Sequence, residues 1–423
     1  MKSLDAKLAE IRRNPSARAF ILADAKDADM AFGVRAPGPR QFLSSRGACA
    51  AQFSPEVWTR DEFGSRNLPE FLDIIREVTR QGLVDIMLMS ASVNEQLAIK
   101  EGLFRQGHVT PAARANDTTD VWAVRHGSYT REPARPFRSA TIDHIQCGKA
   151  ECERGDGEFP GANLGLYSVT FVNDLEQDLA TLQAFKEFRL EAEQKRFRYF
   201  LEVFDPNVAS GVPPEKLGEF INDNIIRSLA GVTEAGRPLF LKIVYHGPRL
   251  MEELVQYDPN LVVGVLGGSA GTTYDAFKLI HDAQKHGARV ALYGRKINNA
   301  EHQLAFIEML RLITDGRLSP EEAVRAYHGV LQSLKIPPRL PLEQDLRLTD
   351  QAMSYGGNGR TSMEVRNNPL ASLPAPASKP DASPAAGGKP SLPVTATGAP
   401  DFGAMTSVQH RAYDAERLKR KFG

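Results

Sequence analysis

The 423-residue chain contains no run of about 18 apolar residues, so nothing in it reads as a membrane span. It has only three cysteines, Cys49, Cys147 and Cys152, an odd and sparse count that suggests a reducing compartment and a cytoplasmic protein. Neither sign of charge is in excess, since 52 basic side chains balance 52 acidic ones, and a nucleic-acid partner is not expected. No Gly-x-Gly-x-x-Gly turn follows the first strand-like run, which counts against a dinucleotide-binding sheet. The opening "MKSLDAKLAEIRRNPSARAF" lacks the apolar core of a signal peptide and reads as a short, charged, amphipathic helix over residues 1–18.

Large apolar residues also run out near the end. From 367 to 400 the chain is Pro, Ala, Ser and Gly, too poor in burial to offset its ordering entropy, so a flexible, disordered linker is expected there. A short basic helix is expected over 401–423, and 336–366 reads as an extension before the linker.

Residues 19–335 alternate between strand and helix patterns. Apolar runs end at Asp24, Ser92, His126, Val172, Phe204, Tyr245, Gly268 and Gly294, mostly continuous, as in parallel strands covered on both sides. Helices announce themselves between and after them. Thr272 with Asp275 opens one as a capping box that Gly287 closes, and Ser319, Pro320 and Glu322 open another. Eight such units predict an α/β fold, a (β/α)8 TIM barrel, with a doubly wound open sheet as the alternative. The stretch 125–163 is too long for an ordinary connection and predicts a long insertion after strand 3; within it "SATIDHIQC" offers a further possible strand.

Barrel chemistry sits at the C-terminal ends of the strands. There strand 1 offers Asp24, strand 5 Glu202 and strand 6 Lys242. Glu202 shares side-chain parity with Phe200 and Phe204, and Lys242 with Phe240 and Val244, so an acid and an amine converge in an apolar hole. Burial disfavours the charged amine; a free amine attacks a carbonyl to form a Schiff base, and a neighbouring carboxylate moves the protons. The same two residues also suit a buried ion pair that only ties two strands together. Gly267–Gly268 after strand 7 and Gly294–Arg295 after strand 8 suit a phosphate, because glycine permits close approach, a following helix start offers N–H groups, and arginine binds bidentately.

With Asp at strand 1, Glu at strand 5, Lys at strand 6, Gly-Gly at strand 7 and Gly-Arg at strand 8, the chain resembles the class I aldolases of the deoxyribose-phosphate, tagatose-bisphosphate and archaeal-type fructose-bisphosphate group. The resemblance is best from 164 to 316. It implies a metal-independent lyase without a cofactor, acting on a phosphorylated sugar or related keto compound, with Lys242 as Schiff-base nucleophile and Glu202 as proton shuttle. It further implies Asp24 or Asp27 as the strand-1 acid, a phosphate on Gly267, Gly268, Gly294 and Arg295, and a homo-oligomer. Where several relatives keep a strand-4 lysine, this chain has Ser168 or Thr170, and Phe204 stands where others use tyrosine. A transaldolase or isomerase using the same phosphate grip, or a silent barrel scaffold, are the rival readings. His126, His144, Cys147 and Cys152 could bind zinc, and His246 could assist proton transfer, though a loop histidine without that role is the simpler reading. Tyr245 and Tyr293 read as wall residues, and Arg114 and Asn116 as possible substrate contacts.

Overall fold

Apolar runs of this kind are stable as strands only when both faces are covered. In the computed structural model, which describes residues 1–14, 17–38, 65–153, 158–268 and 271–349 and a few isolated positions beyond, both faces are covered. Among the described residues eight parallel strands close into a barrel. They are β1 Ile21–Lys26, β2 Ile86–Met89, β3 Thr110–Arg114, β4 Leu164–Thr170, β5 Arg198–Phe204, β6 Leu241–Ile243, β7 Val263–Leu266 and β8 Val290–Tyr293. Each strand pairs with its sequence neighbours, and β8 returns to β1 with Ile21 opposite Val290. The fold is a (β/α)8 barrel. The predicted linker 367–400 and the predicted basic helix 401–423 lie outside the described residues, isolated positions apart.

The helices follow their sequence signals. α1 covers Ser3–Arg13, α2 Leu68–Gln81, α3 Leu175–Gln194, α4 Leu217–Ala230, α5 Pro248–Tyr257, α6 Thr273–Lys285, α7 Gln303–Thr314 and α8 Pro320–Ser333. Both expected capping boxes form, Thr272 with Asp275 and Ser319 with Glu322, and Asn67 with Glu70 makes a third at α2. Each supplies partners to N–H groups that a helix start leaves free.

Strand 3 is a correction. The β-rich run ending at His126 is not a strand; its Thr119–Val121 is a single 3-10 turn. The strand is the preceding Thr110–Arg114, "TPAAR", with a proline, two alanines and no large apolar side chain. It is held as a strand by its neighbours: Ala112 packs inside the barrel and Ala113 against the outer layer. The insertion after it occupies 115–163. "SATIDHIQC" is not a strand either, because Thr141 accepts a hydrogen bond from the His144 N–H and caps a helix over Ile142–Cys147. Cys147 and Cys152 are joined in a disulfide, a pairing the sparse cysteine count does not anticipate. His144 Nδ1 is taken by Thr141 Oγ1, and among the described residues no three His, Cys, Asp or Glu side chains cluster for a metal, so the zinc reading has no site there.

Side-chain alternation sorts the barrel into layers. Ile21, Ala23, Ile86, Leu88, Ala112, Leu164, Leu166, Phe200, Phe240, Val290 and Leu292 fill the interior, where Phe200 and Phe240 stack at 4.6 Å. Leu4, Leu8 and Ile11 of α1 belong to the same cluster, so α1 plugs the end at which the strands begin. At the opposite end Phe32, Val121, Phe204, Val244 and Leu266 form a second, smaller apolar cluster. Val121 comes from the long insertion, and Ala123 beside it donates its N–H to Ala31 O at 2.9 Å. Between floor and roof lies one polar layer.

Candidate active site

Strand parity places that layer. Glu202 lies between Phe200 of the floor and Phe204 of the roof, Lys242 between Phe240 and Val244, and the two are register partners across β5 and β6. Lys242 Nζ is 2.5 Å from Glu202 Oε1, with the lysine side chain 10% exposed and the glutamate 1%. The other carboxylate oxygen accepts the Ser168 hydroxyl at 2.7 Å, Ser168 being the register partner of Glu202 on β4. Beside Lys242 on β7 stands Gly264, where an added Cβ would meet Val290 at 2.6 Å.

Arg114, at the end of β3, enters the same layer. Its Nε donates to Asp27 Oδ2 at 2.6 Å and lies 3.8 Å from Asp117 Oδ1; one terminal nitrogen is 3.4 Å from Ser168 Oγ and the other 3.9 Å from Glu202 Oε2. Burial opposes its charge, but Asp27, Asp117 and Glu202 together hold it firmly protonated. Asn116 fixes the floor of this corner by exchanging two hydrogen bonds with the Ser168 backbone, at 2.8 and 2.6 Å.

Three further acids rim the layer. Burial pushes the Asp117 carboxyl up to about 6 against the pull of Arg114, with Asp27 and Asp29 adding to the rise. Burial also raises Asp120, whose Oδ2 accepts from Thr170, and Asp29, whose Oδ2 accepts from Ser90 at 2.6 Å. The sequence offered Arg114 only as a possible substrate contact, beside Asn116, and Asp117 and Asp120 were not picked out for chemistry. The residue types were visible, but the misplaced third strand hid their convergence.

Asp24 is the second correction. β1 continues to Lys26, and the interior residues of this strand are Ile21, Ala23 and Ala25. Asp24 therefore faces the helices, as do its register partners Met87 and Tyr293, and binds Lys26 Nζ with both oxygens at 2.7 and 2.6 Å. Asp27 has the inward parity and meets Arg114, so the structure brings Asp27, not Asp24, to the polar layer. Tyr293 likewise faces outward, its hydroxyl donating to Ala276 O, and Tyr245 packs with the outer cluster. His246 has Asp205 as its partner at 2.9 Å.

The four phosphate candidates divide. Gly267 donates its N–H to Leu292 O at 2.7 Å, and a Cβ there would lie 2.2 Å from the Tyr293 ring, so packing alone requires this glycine. Gly268 takes φ +56°, a conformation glycine adopts without strain. Gly294 precedes the short helix Arg295–Asn298, with Ala25 O 2.9 Å from where a Cβ would sit; Arg295 opens that helix 5.8 Å from the Phe32 ring of the roof. The start of α6 is not open to an anion: Thr272 N donates to Asp275 and Thr273 N to Asp345, while Thr349 binds Asp275 through both its N–H and its hydroxyl.

The same architecture occurs in an archaeal fructose 1,6-bisphosphate aldolase, which matches with a TM-score of 0.50 over 73% of this chain and 99% of its own, at 13% identity. The two share a fold. A second archaeal fructose-1,6-bisphosphate aldolase, with its catalytic lysine covalently bound to the carbinolamine intermediate of its substrate, matches over the same shares at a TM-score of 0.49 and 14% identity. A Schiff-base-forming fructose-1,6-bisphosphate aldolase gives 0.49 at 15% identity, over 73% of this chain and 99% of its own. No family model matches the chain, and no curated protein matches it in sequence.

Proposed function

We propose that the protein is a class I aldolase that needs no metal or cofactor and joins Lys242 to a phosphorylated keto compound as a Schiff base. The observation that carries this reading is the 2.5 Å contact between Lys242 Nζ and Glu202 Oε1 inside the barrel, between two apolar clusters. The fold shared with an archaeal fructose 1,6-bisphosphate aldolase supports it.

Amine attack requires Lys242 to lose a proton, and Glu202 Oε1 is within reach to accept it. Nζ then adds to the carbonyl carbon, giving a carbinolamine. Glu202 returns the proton to the carbinolamine oxygen, which leaves as water, and the iminium remains. The iminium draws the electron pair of the adjacent carbon–carbon bond as that bond breaks; the hydroxyl proton of the departing aldehyde passes to Glu202 or to Asp27. The resulting enamine takes a proton back at carbon, and water releases the product from Lys242. Gly268, Gly294 and Arg295 would hold the phosphate, with Gly267 serving packing instead.

Borohydride reduction during incubation with phosphorylated ketoses and aldehydes tests this. A substrate-dependent mass increase on the Lys242 peptide, absent in Lys242→Ala, is the expected result. Wild-type protein that is folded and gives no adduct with any compound would leave Lys242–Glu202 as a structural ion pair. Transfer of the trapped fragment to an added aldehyde acceptor, rather than its release, would mark a transaldolase.

A further inference from the structure

The polar layer contains a second permanent cation that the reaction above does not use. Arg114 reaches it from β3 and contacts groups on three other strands or strand ends: Asp27 after β1, Ser168 on β4 and Glu202 on β5. Two features separate it from an ordinary buried ion pair. Its guanidinium is shared among three carboxylates rather than matched to one. And it approaches the Glu202 oxygen that Lys242 does not occupy: Lys242 takes Oε1, while Ser168 Oγ and an Arg114 terminal nitrogen face Oε2.

Resting on the aldolase reading, we infer that Arg114 is a positioning residue that holds the Glu202 carboxylate for proton exchange with Lys242, both directly and through Ser168. The physics is direct. A fixed positive charge at 3.9 Å in a site with little water attracts Oε2 and leaves Oε1 to the amine. The contact through Ser168 also fixes the rotation of the carboxylate, leaving Oε1 aimed at Nζ. Arginine suits the task because its charge is not lost when the lysine beside it gives up a proton.

The groups that face Glu202 are Lys242 from β6, Ser168 from β4, Arg114 from β3 and, from the insertion, Asp120, whose negative charge acts in the opposite sense; Asp27 and Asp117 act through Arg114. Removing Arg114 should therefore slow the reaction where Glu202 is present and matter little in a Glu202→Gln background.

The test measures the rate of borohydride-trappable adduct formation for wild type, Arg114→Lys and Arg114→Met, each also combined with Glu202→Gln. Arg114→Met combined with Asp27→Asn serves as a variant that leaves no unpaired charge from the closest contact. The expected result is a rate lowered at least about tenfold in both Met variants, partial restoration by lysine, which keeps the charge but not the fork, and little further loss from Arg114→Met on top of Glu202→Gln. An equal loss from Arg114→Met with and without Glu202→Gln in folded variants would overturn the inference, because a purely structural arginine acts in both backgrounds. Variants as active as wild type would overturn it too. No adduct in wild type would instead remove the aldolase reading and this inference with it, an outcome distinct from the other two.

Discussion

Two lysines in this barrel are buried against a carboxylate two strands' width or less away, and they face opposite sides of the barrel wall. Lys26 and Asp24 lie on the helix-facing side of β1, both fully inaccessible, with both carboxylate oxygens on one ammonium. Burial pushes the Asp24 carboxyl up and the Lys26 amine down, each restrained by the other. Lys242 and Glu202 lie on the inward side of β6 and β5, where the lysine retains some access and the second carboxylate oxygen is held by Ser168 and faced by Arg114. The first pair has its partners and no exit. The second sits in a layer with spare acids and bases, beneath a roof built partly by an insertion. On the aldolase reading, side-chain parity, rather than burial or pairing, separates a structural lysine from a reactive one.

The comparison breaks most sharply at the two lysines. Lys242→Met should abolish the adduct and lower turnover by at least about a thousandfold, because no other group in the layer can form the imine. The protein should remain folded, since Glu202 keeps Ser168 and Arg114 as neighbours; circular dichroism and a turnover assay check both. Glu202→Gln retains the shape but not the proton traffic, and a fall of about a hundredfold to ten-thousandfold in adduct formation is expected. Equal rates in Glu202→Gln and wild type would remove Glu202 from the mechanism.

For the outer pair the effect is on stability. Lys26→Met leaves Asp24 as a buried carboxylate with no cation, which should cost about 3–5 kcal/mol in denaturant unfolding while the folded fraction still forms the Lys242 adduct. Asp24→Leu combined with Lys26→Met should recover most of that loss, since apolar replacements of a buried pair are often neutral or better. If Lys26→Met instead removed the adduct from well-folded protein, the division by parity would be wrong.

How much of this was legible depended on how strongly each strand was written. β5, "RYFLEVF", and β6, with Phe240, Lys242 and Val244 on one side, show their alternation openly, so Glu202 and Lys242 could be aimed inward from the sequence. β1 ends in "ADAKDAD", where nothing apolar marks the last residue; placing its end at Asp24 instead of Lys26 put the wrong aspartate in the site. β3 has almost no strand pattern of its own, because alanines between two packed neighbours need no large side chain. Misplacing it hid the convergence of Arg114 with the acids around it. The start of α6 shows a different limit: its capping box was plain, but the carboxylate of Asp345 on Thr273 N–H comes from 72 residues away and leaves no local signal.

The smallest expected effect sharpens the same contrast within the polar layer. Asp117 has an oxygen that is buried without a hydrogen bond, and its carboxyl is pushed up to about 6, above its ordinary value of 3.8. A folded protein that holds this proton more tightly than the unfolded chain loses stability as pH rises from about 4 to about 6, and the loss is complete above that window. Each unit of displacement corresponds to about 1.4 kcal/mol, so the strain at neutral pH is about 2–3 kcal/mol before relaxation. Asp117→Asn keeps the volume and cannot ionise. Its stability relative to wild type should therefore rise between pH 4 and 6, by an amount no larger than that strain, because Arg114 also loses a carboxylate 3.8 Å away. Urea unfolding of the two proteins at several pH values reads this directly. A difference between them that does not change with pH would mean that Asp117 stays ionised in the folded protein, balanced by Arg114.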